Sequence, residues 1–194
     1  VVYYAIDLLQ KHKYSQEYLK RILGQRIGIV GLGFVAIDMA RTLIGLGKQV
    51  EIIYRRVLAE APASLKEIEA ARQEGIKIHE LYGPISFRKS DKTKILDCER
   101  TCLIHDSSHN RSRIQVVPGE TGRFEIDDLI FATGQMSSDL VLKGSKVRLG
   151  GECGGCKTNF DHVYVGGDRV NRDKRIVDAM VSGIKVANLI SESR

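Results

Sequence analysis

The sequence predicts an α/β, Rossmann-like nucleotide-binding fold: a three-layer domain with a parallel sheet and a β-meander. Three observations carry this reading. A β-branched run, Arg26-Ile-Gly-Ile-Val30, ends in Gly31-Leu-Gly-Phe-Val-Ala36 and opens an amphipathic segment, the strand–turn–helix signature of a dinucleotide site. Apolar strand-like and helix-like segments then alternate as far as Leu81, an order that gives parallel strands joined by crossover helices. Beyond Ile85 the helical period is lost, and strand-like runs are separated by polar turns.

Taken in order, residues 3–23 read as helix, with Ala5, Leu8, Leu9, Tyr18 and Ile22 available for an apolar side. The strand from Arg26 follows, and Gly45-Leu-Gly47 ends the helix after it. Residues 49–54 read as the second strand. A helix is expected over residues 63–74, where Ser64 and Glu67 have the spacing of a capping box. Gly75 ends that helix, and residues 76–81 alternate as a third strand. The meander is expected over residues 85–126, with turns at Ser90-Asp-Lys92 and Asp106-Ser-Ser-His-Asn110. Residues 127–134 read as a buried strand ending in a glycine turn. A short strand at residues 163–165, the turn Gly166-Gly167-Asp168 and an apolar helix over residues 175–191 complete the chain.

The fingerprint states its own chemistry. Gly31 lets the chain turn sharply off the strand, Gly33 leaves room for a pyrophosphate, and Ala36 lets the helix pack closely on the sheet. The helix start at Phe34 and Val35 presents amide N–H groups and a partial positive charge to the phosphates. An NAD site usually carries an acidic residue near the end of the second strand to bind the ribose 2′-hydroxyl. Here that strand ends in Tyr54-Arg55-Arg56. Guanidinium groups suit a 2′-phosphate, to which arginine makes bidentate, charge-assisted bonds. Glu51 lies too early in the strand to serve the ribose. The reading is therefore NADPH; the alternative is that Arg55 and Arg56 are ordinary solvated loop charges.

Composition is compatible with this. The chain has 194 residues, 43% hydrophobic and 28% charged, an ordinary profile for a chain with a buried core. A net charge of +6 raises nucleic acid as a partner, but basic residues are interleaved with acidic ones and no nucleic-acid-binding motif occurs. No apolar run approaches the roughly 20 residues that span a bilayer. The chain starts Val1-Val2-Tyr3-Tyr4 rather than with methionine or a signal peptide, so it reads as a piece of a longer chain. Asn110-Arg-Ser112 matches a glycosylation sequon, yet a nucleotide-binding chain without a signal is expected in the cytoplasm.

Five segments taken together resemble the flavin- and pyridine-nucleotide-dependent oxidoreductases of the glutamate synthase small-subunit type. They are Gly31-Leu-Gly-Phe-Val-Ala-Ile-Asp-Met-Ala-Arg41, Tyr54-Arg-Arg56 with Ala61-Pro-Ala63, Glu74-Gly-Ile76, Ala132-Thr-Gly-Gln135, and Val163-Tyr-Val-Gly-Gly-Asp168 with the helix after it. The resemblance covers nearly the whole chain. It implies a linking helix at residues 1–24, an NADPH-binding domain at 25–132, and at 133–194 the C-terminal portion of a split FAD-binding domain. It implies hydride transfer from NADPH to FAD and onward transfer of single electrons to iron–sulfur centres, located in other regions or in a partner redox subunit. By the same resemblance Gly31, Gly33 and Ala36 hold the NADPH pyrophosphate and Arg55 and Arg56 its 2′-phosphate. Gly134 and Gln135 return the chain to the FAD domain, and Gly167 and Asp168 meet the flavin ribityl chain. The last helix would face the flavin ring with its N-terminus.

Departures from the family pattern are equally specific. Leu32 and Phe34 stand where the family usually has glycine and a small polar residue, and Phe34 is placed to crowd the pyrophosphate or redirect the nicotinamide half. No FAD fingerprint precedes Gly31, and the cysteine-rich iron–sulfur region is absent. The chain alone is therefore expected to bind NADPH and to hold FAD weakly or not at all. Two other readings stay open: a non-catalytic NADP(H)-binding module, and a module stapled by metal. For the latter, Cys153-Gly-Gly-Cys156 has the spacing of a redox dithiol or half a zinc site. Cys98 and Cys102, four apart in an expected strand, would point to one face and favour core packing. The five histidines form no ligand spacing. Asp38 and Arg41 are expected to support their helix rather than react.

Overall fold

In the computed structural model, β2 (Arg26–Val30) pairs in parallel with β3 (Gln49–Tyr54), and α3 (Phe34–Gly45) makes the crossover between them. The chain arrives there through β1 (Val2–Tyr4), α1 (Ala5–His12) and α2 (Gln16–Ile22). It continues through α4 (Leu65–Gln73), β4 (Lys77–Glu80), the long strands β5 (Tyr82–Ser90), β6 (Thr93–Ile104) and β7 (Arg113–Glu125), and then β8 (Asp128–Phe131). The last element is α5 (Ile176–Glu192). The structure describes residues 1–12, 16–90, 93–105, 112–134, 156–167, 170 and 176–193.

The chain divides into two compact units, Val1–Gly134 and Gln135–Arg194. The first contains a five-stranded parallel sheet in the order β1-β8-β2-β3-β4 and a three-stranded antiparallel sheet β5-β6-β7. Strand alternation sorts side chains between two cores. Ile27, Ile29, Val50, Ile52 and Ile130 pack with Leu8, Leu19, Met39, Leu43 and Ile68 from the helices. Val30, Ile53 and Leu129 point the other way, onto Leu96, Cys98 and Ile126 of the meander side. The parallel strands are thus covered on both faces, which is why they read as unbroken β-branched runs. Each such side chain contributes about 1.5–3 kcal/mol on burial. Gly28 is what lets the meander close: a Cβ there would stand 2.6 Å from Ile126 Cδ1.

The local signals in the sequence are realised. Ser64 and Glu67 form both halves of the capping box on α4, the kind of cap worth about 1 kcal/mol. Arg41 on α3 holds Glu74 at the end of α4 with paired bonds of 2.8 and 2.5 Å, so it braces helix to helix. Lys94 Nζ donates to the Asp127 carbonyl at 2.6 Å and ties the meander to the start of β8.

Three expectations are corrected. Residues 3–23 are not one helix: Val2, Tyr3 and Tyr4 pair in parallel with Leu129, Ile130 and Phe131, because these β-forming side chains find the open edge of β8. Residues 163–165 form no strand; Tyr164 joins Lys157 in an isolated antiparallel bridge. Cys98 and Cys102 do not share a face. A register shift between Glu99 and Thr101 resets the pleat, so Leu96, Cys98 and Thr101 are the buried positions and Cys102 is half-exposed. The turns at residues 91–92 and 106–111 lie outside the described residues.

Candidate nucleotide-binding site

The site is built at the carboxyl ends of β8, β2 and β3. Strand order reverses here: β3 and β4 lie to one side of β2 and β8 to the other. Crevices at such switch points are where open α/β sheets bind ligands. Gly31 leaves β2 with φ at +114°, a conformation costly for any other residue. Its N–H donates to the Ile53 carbonyl at 3.0 Å, and a Cβ on it would meet the Ala132 carbonyl oxygen at 2.5 Å. The turn is therefore pinned to both neighbouring strands.

Gly33 begins α3 in extended conformation with no side chain capping the helix, and no acidic residue lies in the first turn. The positive end of the helix is left unneutralised. A Cβ at Gly33 would find only Pro62 Cβ, at 3.9 Å, so the space in front of the helix is open. Phe34 and Val35 are exposed on this first turn, while Ala36 is fully buried against the sheet. The Ala63 N–H donates to the Leu32 carbonyl at 3.4 Å, which brings the Ala61-Pro-Ala63 loop alongside the glycine turn. The cradle fits a pyrophosphate: an open approach, a helix start, and a glycine whose backbone is fixed from both sides.

At the end of β3 the three predicted residues take different roles. Tyr54 is buried, and its hydroxyl donates to the Glu60 carbonyl at 3.0 Å. Arg56 is half-buried and engaged: one guanidinium nitrogen donates to Glu60 at 2.5 Å and to the Ser112 carbonyl at 2.7 Å. Arg55 is exposed, and among the described residues its guanidinium has no ion-pair partner. Glu51 is held by His79 at 2.9 Å and Lys77 at 3.4 Å, so it is not available at the strand end. Register places Gly31 beside Tyr54, since Val30 pairs with Ile53. The glycine turn and Arg55 thus share one rim.

Gly134 continues that rim from β8 with φ at +103°; Gln135 lies outside the described residues. In the second unit the Gly167 N–H donates to Ser182 Oγ on α5 at 2.7 Å, and Ser182 in turn donates to the Ala179 carbonyl at 2.9 Å. Asp168 lies outside the described residues, as does Cys153. Cys156 is buried, with its carbonyl accepting from the Val165 N–H at 2.9 Å. Burial pushes the Cys98 thiol up to about 12, with the Asp97 and Glu99 charges adding to the effect. No cluster of three or more potential metal ligands occurs among the described residues. No described helix is long and apolar enough to cross a membrane.

Several participants were not visible in the sequence. Glu60 and Glu80 fasten the arginine loop, the first to Arg56 and the second to the Leu58 N–H. Thr101, buried in the meander, donates its hydroxyl to the Arg55 carbonyl at 3.0 Å. The Arg56–Glu60 spacing of four residues was a usable signal; Thr101 left none, because its partner is set by the bulge.

Comparison with known proteins agrees with this architecture. Residues 3–183 match the model of the pyridine nucleotide-disulphide oxidoreductase family. The chain is 30% identical over 177 residues to the NADP(+)-dependent formate dehydrogenase subunit beta of Moorella thermoacetica, an alignment covering 87% of this chain and 25% of that protein. It is 26% identical over 178 residues to the glutamate synthase [NADPH] small chain of Escherichia coli K12, covering 85% of this chain and 38% of that one. The chain thus spans well under half the length of these relatives. In fold it resembles the thioredoxin reductase of T. acidophilum, with a TM-score of 0.68 at 17% identity, covering 99% of this chain and 57% of that structure. The glycine turn, the parallel sheet and the family match over most of its length lead to one conclusion: the chain belongs to the pyridine nucleotide-disulphide oxidoreductase family.

Proposed function

We propose that this chain is the NADPH-binding part of a flavoprotein oxidoreductase that feeds electrons to a partner redox centre. The observation that carries the proposal is the position of Arg55. Arg55 is exposed and lies one residue past the end of β3, on the rim it shares with the glycine turn and where an NAD site would carry a carboxylate, and Glu51 is already committed to His79 and Lys77. Gly31, Gly33 and the first turn of α3 would hold the pyrophosphate, Ala36 the close packing behind it, and Arg55 the 2′-phosphate. Arg56 would act indirectly, through the shape of the loop. Phe34, exposed on the same turn, would cover one side of the bound cofactor.

When bound, the nicotinamide supplies a hydride and the flavin accepts it. The protein residues bind and orient; no acid–base pair is needed at the rim. Gly134 and Gly167, with Gln135 and Asp168, belong in this reading to the FAD side. The names of the two relatives, an NADP(+)-dependent formate dehydrogenase subunit beta and a glutamate synthase [NADPH] small chain, support a role in a larger assembly with a redox partner.

The test is ultrafiltration of the purified chain mixed with FAD or with NADPH, with the flavin and the reduced nicotinamide read by their absorption in the retained and filtered fractions. The proposal expects NADPH to bind tightly while added flavin stays largely in the filtrate. A chain that retains neither nucleotide contradicts the proposal.

A further inference from the structure

Thr101 belongs to the meander and presents no group of its own to the space in front of the glycine turn. Its side chain is nevertheless fully enclosed, and its hydroxyl reaches out of its own sheet to donate to the Arg55 carbonyl at 3.0 Å. The backbone of the same region adds further ties. Thr101 N–H donates to the Leu81 carbonyl at 2.9 Å, and Leu81 N–H donates to the Arg56 carbonyl at 3.3 Å. Leu81 makes this turn with φ at +61°. Arg100, next in the chain, donates to the Glu80 carbonyl at 3.2 Å and stacks over Tyr82 at 4.8 Å.

The bulge explains how Thr101 comes to be there. Pairing of β6 with β7 shifts between Glu99 and Thr101, which turns Thr101 inward one residue out of phase with Leu96 and Cys98. A buried hydroxyl is costly unless bonded; here its partner is the carbonyl of Arg55, whose side chain is the exposed cation at the rim. From this geometry we propose that Thr101 is a positioning residue for 2′-phosphate selectivity: its hydroxyl fixes the peptide of Arg55 and with it the point on the rim from which the guanidinium reaches out. The proposal rests on the NADPH reading given above.

The experiment measures affinities of the full chain for 2′,5′-ADP and for 5′-AMP, which differ by the 2′-phosphate alone, in Arg55→Ala, Thr101→Val and Thr101→Ser. Valine keeps the methyl that packs near Gly83, where an added Cβ would lie 3.7 Å from Thr101 Cγ2, and removes only the hydroxyl. Because the bond is intramolecular, its net worth bounds the effect: Thr101→Val is expected to lower the 2′,5′-ADP to 5′-AMP affinity ratio by roughly threefold and at most about tenfold, with 5′-AMP affinity unchanged. Thr101→Ser is expected to keep the parent ratio. A Thr101→Val protein with the parent ratio, or with equal losses for both ligands, overturns the proposal if Arg55→Ala has reduced the ratio. A Thr101→Ser protein that loses the ratio overturns it even if the valine variant does not fold. If Arg55→Ala leaves the ratio unchanged, the NADPH reading itself fails, and the role of Thr101 fails with it.

Discussion

Gly31 and Ala132 approach so closely that a side chain on the first would collide with the carbonyl oxygen of the second, at 2.5 Å from an added Cβ. Gly33, two residues on, has open space in front of it. The two glycines of the fingerprint therefore do different jobs. Gly31→Ala is expected to destabilise the fold by about 1–3 kcal/mol, through strain at positive φ and the backbone clash. Gly33→Ala is expected to leave the melting temperature near that of the parent and to weaken NADPH. Thermal melts paired with NADPH titrations separate the two; a Gly33→Ala protein that melts early and binds normally contradicts the assignment.

The adjacent arginines are expected to part in the same way. Arg56→Ala removes charged bonds to Glu60 and Ser112 from a half-buried position, and should lower stability by about 1.5–3 kcal/mol. Arg55→Ala should leave stability unchanged within about 0.5 kcal/mol, as for an exposed side chain with no ion-pair partner among the described residues. Urea melts of both variants check this.

Asp127 gives a pH signature. Burial acts to raise its carboxyl, but bonds from the Arg26 and Gln25 N–H groups at 2.8 and 3.0 Å, and from the Arg26 guanidinium, outweigh it and hold the group below its ordinary 3.8. A depressed folded value means that the stabilisation is present above the unfolded value and is lost as pH falls through the folded one. Asp127→Asn should thus be less stable than the parent at neutral pH, with the gap closing below about pH 4. A gap that widens with acid refutes the sign.

Cys98 should be chemically silent. With its thiol at about 12 and fully enclosed, almost no thiolate exists at pH 8, and only the thiolate reacts. Mass analysis after iodoacetamide treatment of the folded chain should find Cys102 labelled before Cys98. Prompt labelling of Cys98 would contradict the packing described here.

The parallel half of the fold was legible because each signal was local. Gly31, the Ser64–Glu67 pair and the β-branched runs of β2 and β3 report their own conformations through nearby sterics and bonds. What stayed hidden depends on distant partners. Val2–Tyr4 became a strand because β8, more than 120 residues later, offers an edge at Leu129. The inward turn of Thr101 depends on a bulge that alternation alone cannot reveal. The separation of Arg55 from Arg56 depends on Glu60 and on Ser112, which the chain brings back only through the meander. Sequence order thus pointed to a phosphate-binding pair, and three-dimensional bonding distinguishes the exposed arginine from the structural one.

The most direct test of the account is a side-by-side titration of the full chain with NADPH and NADH, followed by the nucleotide's fluorescence. Two or more charge-assisted bonds to one phosphate predict NADPH tighter by about a hundredfold or more, a preference that Arg55→Ala abolishes. Equal affinity for the two nucleotides, or a preference that survives in Arg55→Ala, would contradict the assignment of this rim to NADPH.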